Sequence, residues 1–91
     1  MKHVEGENKG HVLVYSLSNC AWCNRVKELL KTIGAEYYYV DTDLAQKKDR
    51  SKLIESVEKV NPSCVFPTIV INGQTCIIGN DKSAIKKTLG N

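Results

Sequence analysis

Two cysteines three residues apart, Cys20-Ala21-Trp22-Cys23, fall where an extended pattern gives way to a helical one. A strand must end and a helix begin within a few residues of this dithiol. The preceding run, His11-Val12-Leu13-Val14-Tyr15-Ser16-Leu17, is apolar and rich in β-formers, and Ser18-Asn19 supply a polar break able to cap a helix. Beyond it, Cys23, Val26, Leu29, Leu30 and Ile33 recur at spacings of three and four, which marks the buried face of an amphipathic helix. Cys20 therefore belongs at a helix N-terminus, where unpaired N–H groups and the positive end of the macrodipole favour negative charge on sulfur. The dipole supplies only about 0.3–1 kcal/mol. Stronger support needs direct hydrogen bonds from the Trp22 and Cys23 N–H groups or the Cys23 thiol.

The alternation continues along the chain. Gly34 ends the first helix, and Glu36-Tyr37-Tyr38-Tyr39-Val40-Asp41 forms a short strand. A second helix is predicted from Leu44 to Val60, with Leu44, Leu53, Ile54, Val57 and Val60 as its apolar contacts. Its basic run, residues 47–52, reads as a solvated face; docking of an acidic partner is the alternative. Asn61-Pro62-Ser63 breaks that helix. Two extended runs follow, Thr68-Ile69-Val70-Ile71 and Gln74-Thr75-Cys76-Ile77-Ile78, joined by the hairpin signal Asn72-Gly73. Gly79 closes the second run, Asn80 or Asp81 caps a last helix, and Ala84, Ile85 and Leu89 give that helix its apolar side. The predicted fold is α/β, in the order βαβαββα, with a four-stranded mixed sheet flanked by three helices. With Cys-x-x-Cys at the first strand-to-helix junction, this reads as a thioredoxin-like fold.

Composition narrows the function. Ninety-one residues make one domain, here residues 11–91, preceded by a polar stretch at 1–10 that reads as a flexible tail. No stretch is long and apolar enough to span a membrane, and the N-terminal residues lack a signal sequence's apolar middle. Four cysteines without an export signal indicate a cytoplasmic protein whose thiols stay reduced and do chemistry. A net charge of +3, with no aromatics interleaved in a basic stripe, argues against nucleic-acid binding. Cys64 and Cys76 do not have the spacing of a compact zinc site, so no metal site is expected. Cys76 reads as a small apolar strand residue, and Cys64 as structural or, alternatively, open to regulatory oxidation. His3 and His11 read as surface residues.

The chain resembles the glutaredoxins over nearly its whole length after residue 10. Three segments carry the resemblance: Tyr15-Ser16 followed by Cys20-Ala21-Trp22-Cys23, then Val65-Phe66-Pro67-Thr68, then Gly79-Asn80-Asp81. The resemblance implies a thiol–disulfide oxidoreductase in which Cys20 is the nucleophile and Cys23 resolves the mixed disulfide. It implies a cis Phe66–Pro67 bond, which would let Phe66, Pro67 and Thr68 pair with an extended substrate by strand addition. It also implies that Gly79, Asn80 and Asp81 help bind the γ-glutamyl end of glutathione at a helix N-terminus; simple helix capping is the alternative. Trp22 is expected to be exposed on the rim as part of the docking surface.

Two positions depart from that pattern. Leu17 stands where many glutaredoxins have a lysine for the glycine carboxylate of glutathione, and Ile78 replaces the first glycine of the usual pair. The chain thus also resembles glutaredoxin-like redoxins recharged by a thioredoxin-type reductase, flavin- or ferredoxin-linked, including those of methanogens. The expected activity is reduction of disulfide-containing client proteins by a monomer needing no bound cofactor. Electrons would come from such a reductase or from a low-molecular-weight thiol such as glutathione. One alternative is a glutathione-dependent glutaredoxin acting on mixed disulfides. Another, prompted by Ala21 in place of the family's proline, is a [2Fe-2S] cluster carrier.

Overall fold

The computed structural model describes residues 2–62, 66–79 and 81–89. The strands are β1 (Lys2–Val4), β2 (Val12–Ser16), β3 (Tyr37–Asp41), β4 (Thr68–Ile71) and β5 (Thr75–Ile78). The helices are α1 (Ala21–Ile33), α2 (Lys47–Val60) and α3 (Lys82–Leu89), with a short 3₁₀ turn at Thr42–Leu44. The sheet order is β1-β3-β2-β4-β5. β2 and β3 run parallel, as the helical crossover through α1 requires, and the other pairings are antiparallel.

Alternation along the central strands sorts the core into two layers. Val12 and Val14 of β2 and Ile69 and Ile71 of β4 join Val26, Leu30 and Ile33 of α1 and Ile85 and Leu89 of α3 on one face. Tyr15 and Val70 point the other way and pack with Val57 of α2, supported by Leu13, Val40, Leu53, Val60 and Phe66. The result is the thioredoxin-like arrangement, with the dithiol end of β2 at one edge of both layers.

The sheet has five strands where the sequence pattern predicts four. Residues 2–4, read as part of a loose tail, pair antiparallel with β3, opposing Lys2 to Tyr39, His3 to Tyr38 and Val4 to Tyr37. Further on, the Glu7 N–H donates to the Gly34 carbonyl (2.7 Å) and the Glu36 N–H to the Glu7 carbonyl (2.9 Å). Main-chain hydrogen bonding to an open strand edge orders this stretch, so hydrophobic periodicity does not reveal it. His3 is exposed but engaged: its Nε2 lies 2.9 Å from Glu36 Oε2, and its ring lies 4.8 Å from that of Tyr38.

The second helix starts later than predicted, at Lys47, and Leu44 is 71 % exposed instead of an apolar contact. Ala45 and Gln46 are extended, and side chains hold the backbone in that path: Arg50 donates to the Asp43 and Ala45 carbonyls at 3.0 and 3.3 Å. Such local side-chain bonds compete with helix extension. The hairpin turn matches its signal. Asn72 and Gly73 both have positive φ (56° and 70°), as a type I′ turn demands, and the Gln74 N–H closes onto the Ile71 carbonyl at 3.2 Å.

Candidate active site

The cap of α1 is Cys20 itself. Its backbone is extended (φ −138°, ψ 113°), its carbonyl accepts from the Asn24 N–H, and its Sγ accepts from the Cys23 N–H at 3.2 Å. Ser18, expected as part of a polar break able to cap this helix, is engaged elsewhere. Its N–H donates to Asp43 Oδ1 (2.9 Å) and its hydroxyl to Asp43 Oδ2 (2.5 Å). With Ser18 held by the 3₁₀ turn, the open helix N–H of Cys23 is met by the residue directly before the first turn, Cys20.

The two thiols differ in kind. Both are free, Cys20 is part-exposed, and Cys23 is fully buried on the inner stripe of α1. Burial is the main cause that pushes the Cys23 thiol up to about 12; its hydrogen bond with the Cys20 side chain adds to this, and the Leu17 backbone and Lys27 pull it down. One sulfur is thus accessible and accepts a backbone hydrogen bond, while the other keeps its proton and is shielded. That asymmetry suits a nucleophile and a resolving thiol.

Around the dithiol, Trp22 is 56 % exposed, with the Arg25 guanidinium 5.4 Å from its ring centre. The Phe66–Pro67 bond is cis. It leads into β4, where Thr68 opposes Tyr15 of β2 and Ile78 of β5, so this turn lies beside the end of β2 that feeds the Cys20 loop. The Pro67 carbonyl accepts from the Gly79 N–H (2.9 Å), which joins the second and third sequence segments directly. Gly79 has a positive φ (73°), and Ile78 is half-exposed beside it. Asp81 Oδ1 accepts from the Ala84 N–H (3.1 Å), so its carboxylate serves as the N-cap of α3. Asn80, Cys64 and Val65 lie outside the described residues. Among the described residues, no cluster of three or more His, Cys, Asp or Glu side chains could hold a metal ion.

A polar cluster beneath α1 goes beyond the sequence reading. The Ser16 hydroxyl donates to Asp41 Oδ1 (2.6 Å), Lys27 Nζ donates to the same oxygen (3.1 Å), and Nζ lies 4.1 Å from the Tyr39 ring centre. Ser16 and Asp41 are register partners at the ends of the parallel strands β2 and β3. The available signal was Lys27, four residues after Cys23 and so on the same helix face.

The fold and this site define a dithiol protein of the thioredoxin-like class, with a Cys-x-x-Cys at the cap of α1 and a cis-proline turn at the start of β4. The glutaredoxin family profile matches residues 12–76, and the chain belongs to the glutaredoxin family. It is similar to the crystal structure of methanoredoxin from Methanosarcina acetivorans, with a TM-score of 0.92 and 36 % identity, covering 94 % of this chain and 90 % of that one. It is 31 % identical over 78 residues to an uncharacterized glutaredoxin-like 8.6 kDa protein in the rubredoxin operon of Clostridium pasteurianum, covering 86 % of this chain and 96 % of that protein. It is also 33 % identical over 63 residues to Glutaredoxin-C6 of Oryza sativa subsp. japonica, which covers 69 % of this chain. The chain spans about half the length of that plant relative, 54 %.

Proposed function

We propose that this protein reduces disulfides in client proteins by dithiol exchange, with Cys20 attacking and Cys23 resolving. The observation that carries this reading is the unequal pair at the α1 cap: an accessible Cys20 sulfur accepting the Cys23 N–H, above a buried Cys23 thiol. The Cys20 thiolate attacks one client sulfur, breaking the client disulfide and forming a mixed disulfide. Cys23 then displaces the client sulfur, leaving a Cys20–Cys23 disulfide and a reduced client. Exposed Trp22 and Ile78 offer apolar contact, and the main chain at Phe66-Pro67-Thr68 offers strand addition to an extended client segment.

The oxidised protein is recharged by a thioredoxin-type reductase in preference to glutathione. Leu17 puts an apolar side chain where a cation for a glycine carboxylate would be needed. Similarity to a methanoredoxin supports the same preference. The test is to titrate the oxidised protein separately with glutathione and with a thioredoxin-type reductase system, following it by mass spectrometry and Trp22 fluorescence. Fast reduction by the reductase, with little or no glutathione adduct at Cys20, is expected. A rapid glutathione adduct followed by full reduction would make glutathione the electron donor.

A further inference from the structure

The resolving step, which rests on the dithiol function proposed above, requires a buried thiol to lose its proton at the moment it attacks. Cys23 is fully buried, and desolvation disfavours its ionised form. One turn further along α1, at a position whose Cβ lies about 5–6 Å away on an ideal helix, stands Lys27. This lysine is not a free surface cation. Its side chain is 18 % exposed, its ammonium is tied to Asp41 at 3.1 Å and set against the Tyr39 ring, and Asp41 is itself fixed by the Ser16 hydroxyl. Three elements, β2, β3 and α1, thus fix the ammonium of a lysine that stands one helical turn from Cys23.

We propose that Lys27, anchored by Asp41 and Tyr39, is a positioning residue for the resolving half of the exchange, its ammonium favouring the ionised Cys23 sulfur that displaces the client. In that step the Cys23 sulfur attacks Cys20 Sγ in the mixed disulfide, and the Cys20–client S–S bond breaks. The Cys20–Cys23 bond forms, and the two electrons leave with the client sulfur. The client sulfur departs as a thiolate, and the proton lost by Cys23 balances the one it takes up. Two features restrict the effect of Lys27 to this step. Cys20 sits at the cap and receives its hydrogen bond from the Cys23 main chain, independently of Lys27. Once Cys20 is in a mixed disulfide it carries no charge to oppose ionisation of Cys23. Among the described residues, Asp41 and Tyr39 of β3 are in contact with Lys27, Asp43 is bonded to Ser18, and Glu28, Lys31 and Tyr37 line the cavity that Lys27 and Tyr39 also line.

The proposal is tested by stopped-flow reaction of the reduced protein with a chromogenic aromatic disulfide, in a background with Cys64→Ser and Cys76→Ala. Attack by Cys20 releases one coloured thiolate, and resolution by Cys23 releases the second, so the two steps are read separately. In Lys27→Met the second phase should slow, its pH profile moving to higher pH. Because nucleophilicity rises as thiolate population falls, each unit of that shift slows the second phase about three- to fourfold at neutral pH. The first phase should change by less than a factor of about two, and Lys27→Arg should restore the second phase and its pH profile. An unchanged second phase in Lys27→Met overturns the proposal. So does equal slowing of both phases, or a lowered thermal midpoint with no shift in pH profile, since these report general loosening of the site. Absence of the first phase in the unsubstituted protein would instead overturn the dithiol reading itself.

Discussion

The N–H of Cys23 donates to the sulfur of Cys20 across 3.2 Å, so the accessible sulfur takes its hydrogen-bond support from the main chain of the residue that carries the buried thiol. The support comes from the main chain and survives replacement of the Cys23 side chain. Cys23→Ser should therefore still attack a client disulfide and accumulate as a stable mixed disulfide, visible by mass spectrometry. Cys20→Ser should lose at least about a thousandfold in exchange rate, as expected when the nucleophile of a covalent mechanism is removed. Retained exchange in Cys20→Ser would reassign the nucleophile.

The proton on Cys23 makes the stability of the reduced protein depend on alkaline pH. Its folded value, about 12, lies above the ordinary thiol value of 9.0. Below pH 9 the thiol is protonated in both folded and unfolded chains, and the stabilisation is fully present. As pH rises from 9 toward 12 the unfolded chain ionises first, and stability is lost, reaching about 4 kcal/mol if the whole shift is realised. Burial also pushes Tyr37 and Cys76 upward and adds loss of the same sign, but in oxidised and reduced forms alike. The reduced-minus-oxidised difference in urea stability should therefore fall steadily above pH 9, and Cys23→Ala should lack that dependence.

Asp43 staples the loop before Cys20 to the 3₁₀ turn through both the N–H and the hydroxyl of Ser18. These bonds hold its carboxyl below the usual carboxylate range. A carboxylate lowered in this way holds the staple above its ordinary value and releases it only as pH falls through the lower folded value. Near neutral pH, Asp43→Ala should accelerate hydrogen exchange at the Ser18 amide about tenfold or more while leaving amides of β2 unchanged. Unchanged exchange at Ser18 would mean the loop is held by other contacts.

Gly6 lies so close to the chain at residues 35 and 36 that an added Cβ would stand 2.6 Å from the Ala35 carbonyl carbon and 2.7 Å from the Glu36 nitrogen. Backbone must move to admit it, which costs about 1–3 kcal/mol. Gly6→Ala should lower the urea midpoint accordingly without changing the slope. A silent substitution would mean that residues 2–10 contribute nothing to the domain.

Much of this architecture follows from local pattern. The changeover at Cys20, the αL stop at Gly34 and the Asn72-Gly73 turn each depend on a few adjacent residues whose conformational preferences point one way. The apolar stripe of α1 does likewise, with Cys23, Val26, Leu30 and Ile33 all buried. These features were legible because period and turn chemistry are local properties. Three others were not. β1 depends on the free edge of a strand more than thirty residues away, and two of its three residues, Lys2 and His3, are polar. The late start of α2 depends on Asp43 reaching Ser18 and on Arg50 folding back over the turn. The Ser16, Lys27 and Asp41 cluster exists only because parallel pairing places the ends of β2 and β3 side by side under α1. The chain alone determined that two thiols share one helix start, since such a dithiol is written within four consecutive positions. Tertiary packing alone decided where the Lys27 ammonium is held, because its anchors Asp41 and Tyr39, and Ser16 behind Asp41, are remote from it in sequence and electrostatic contacts depend on distance in space.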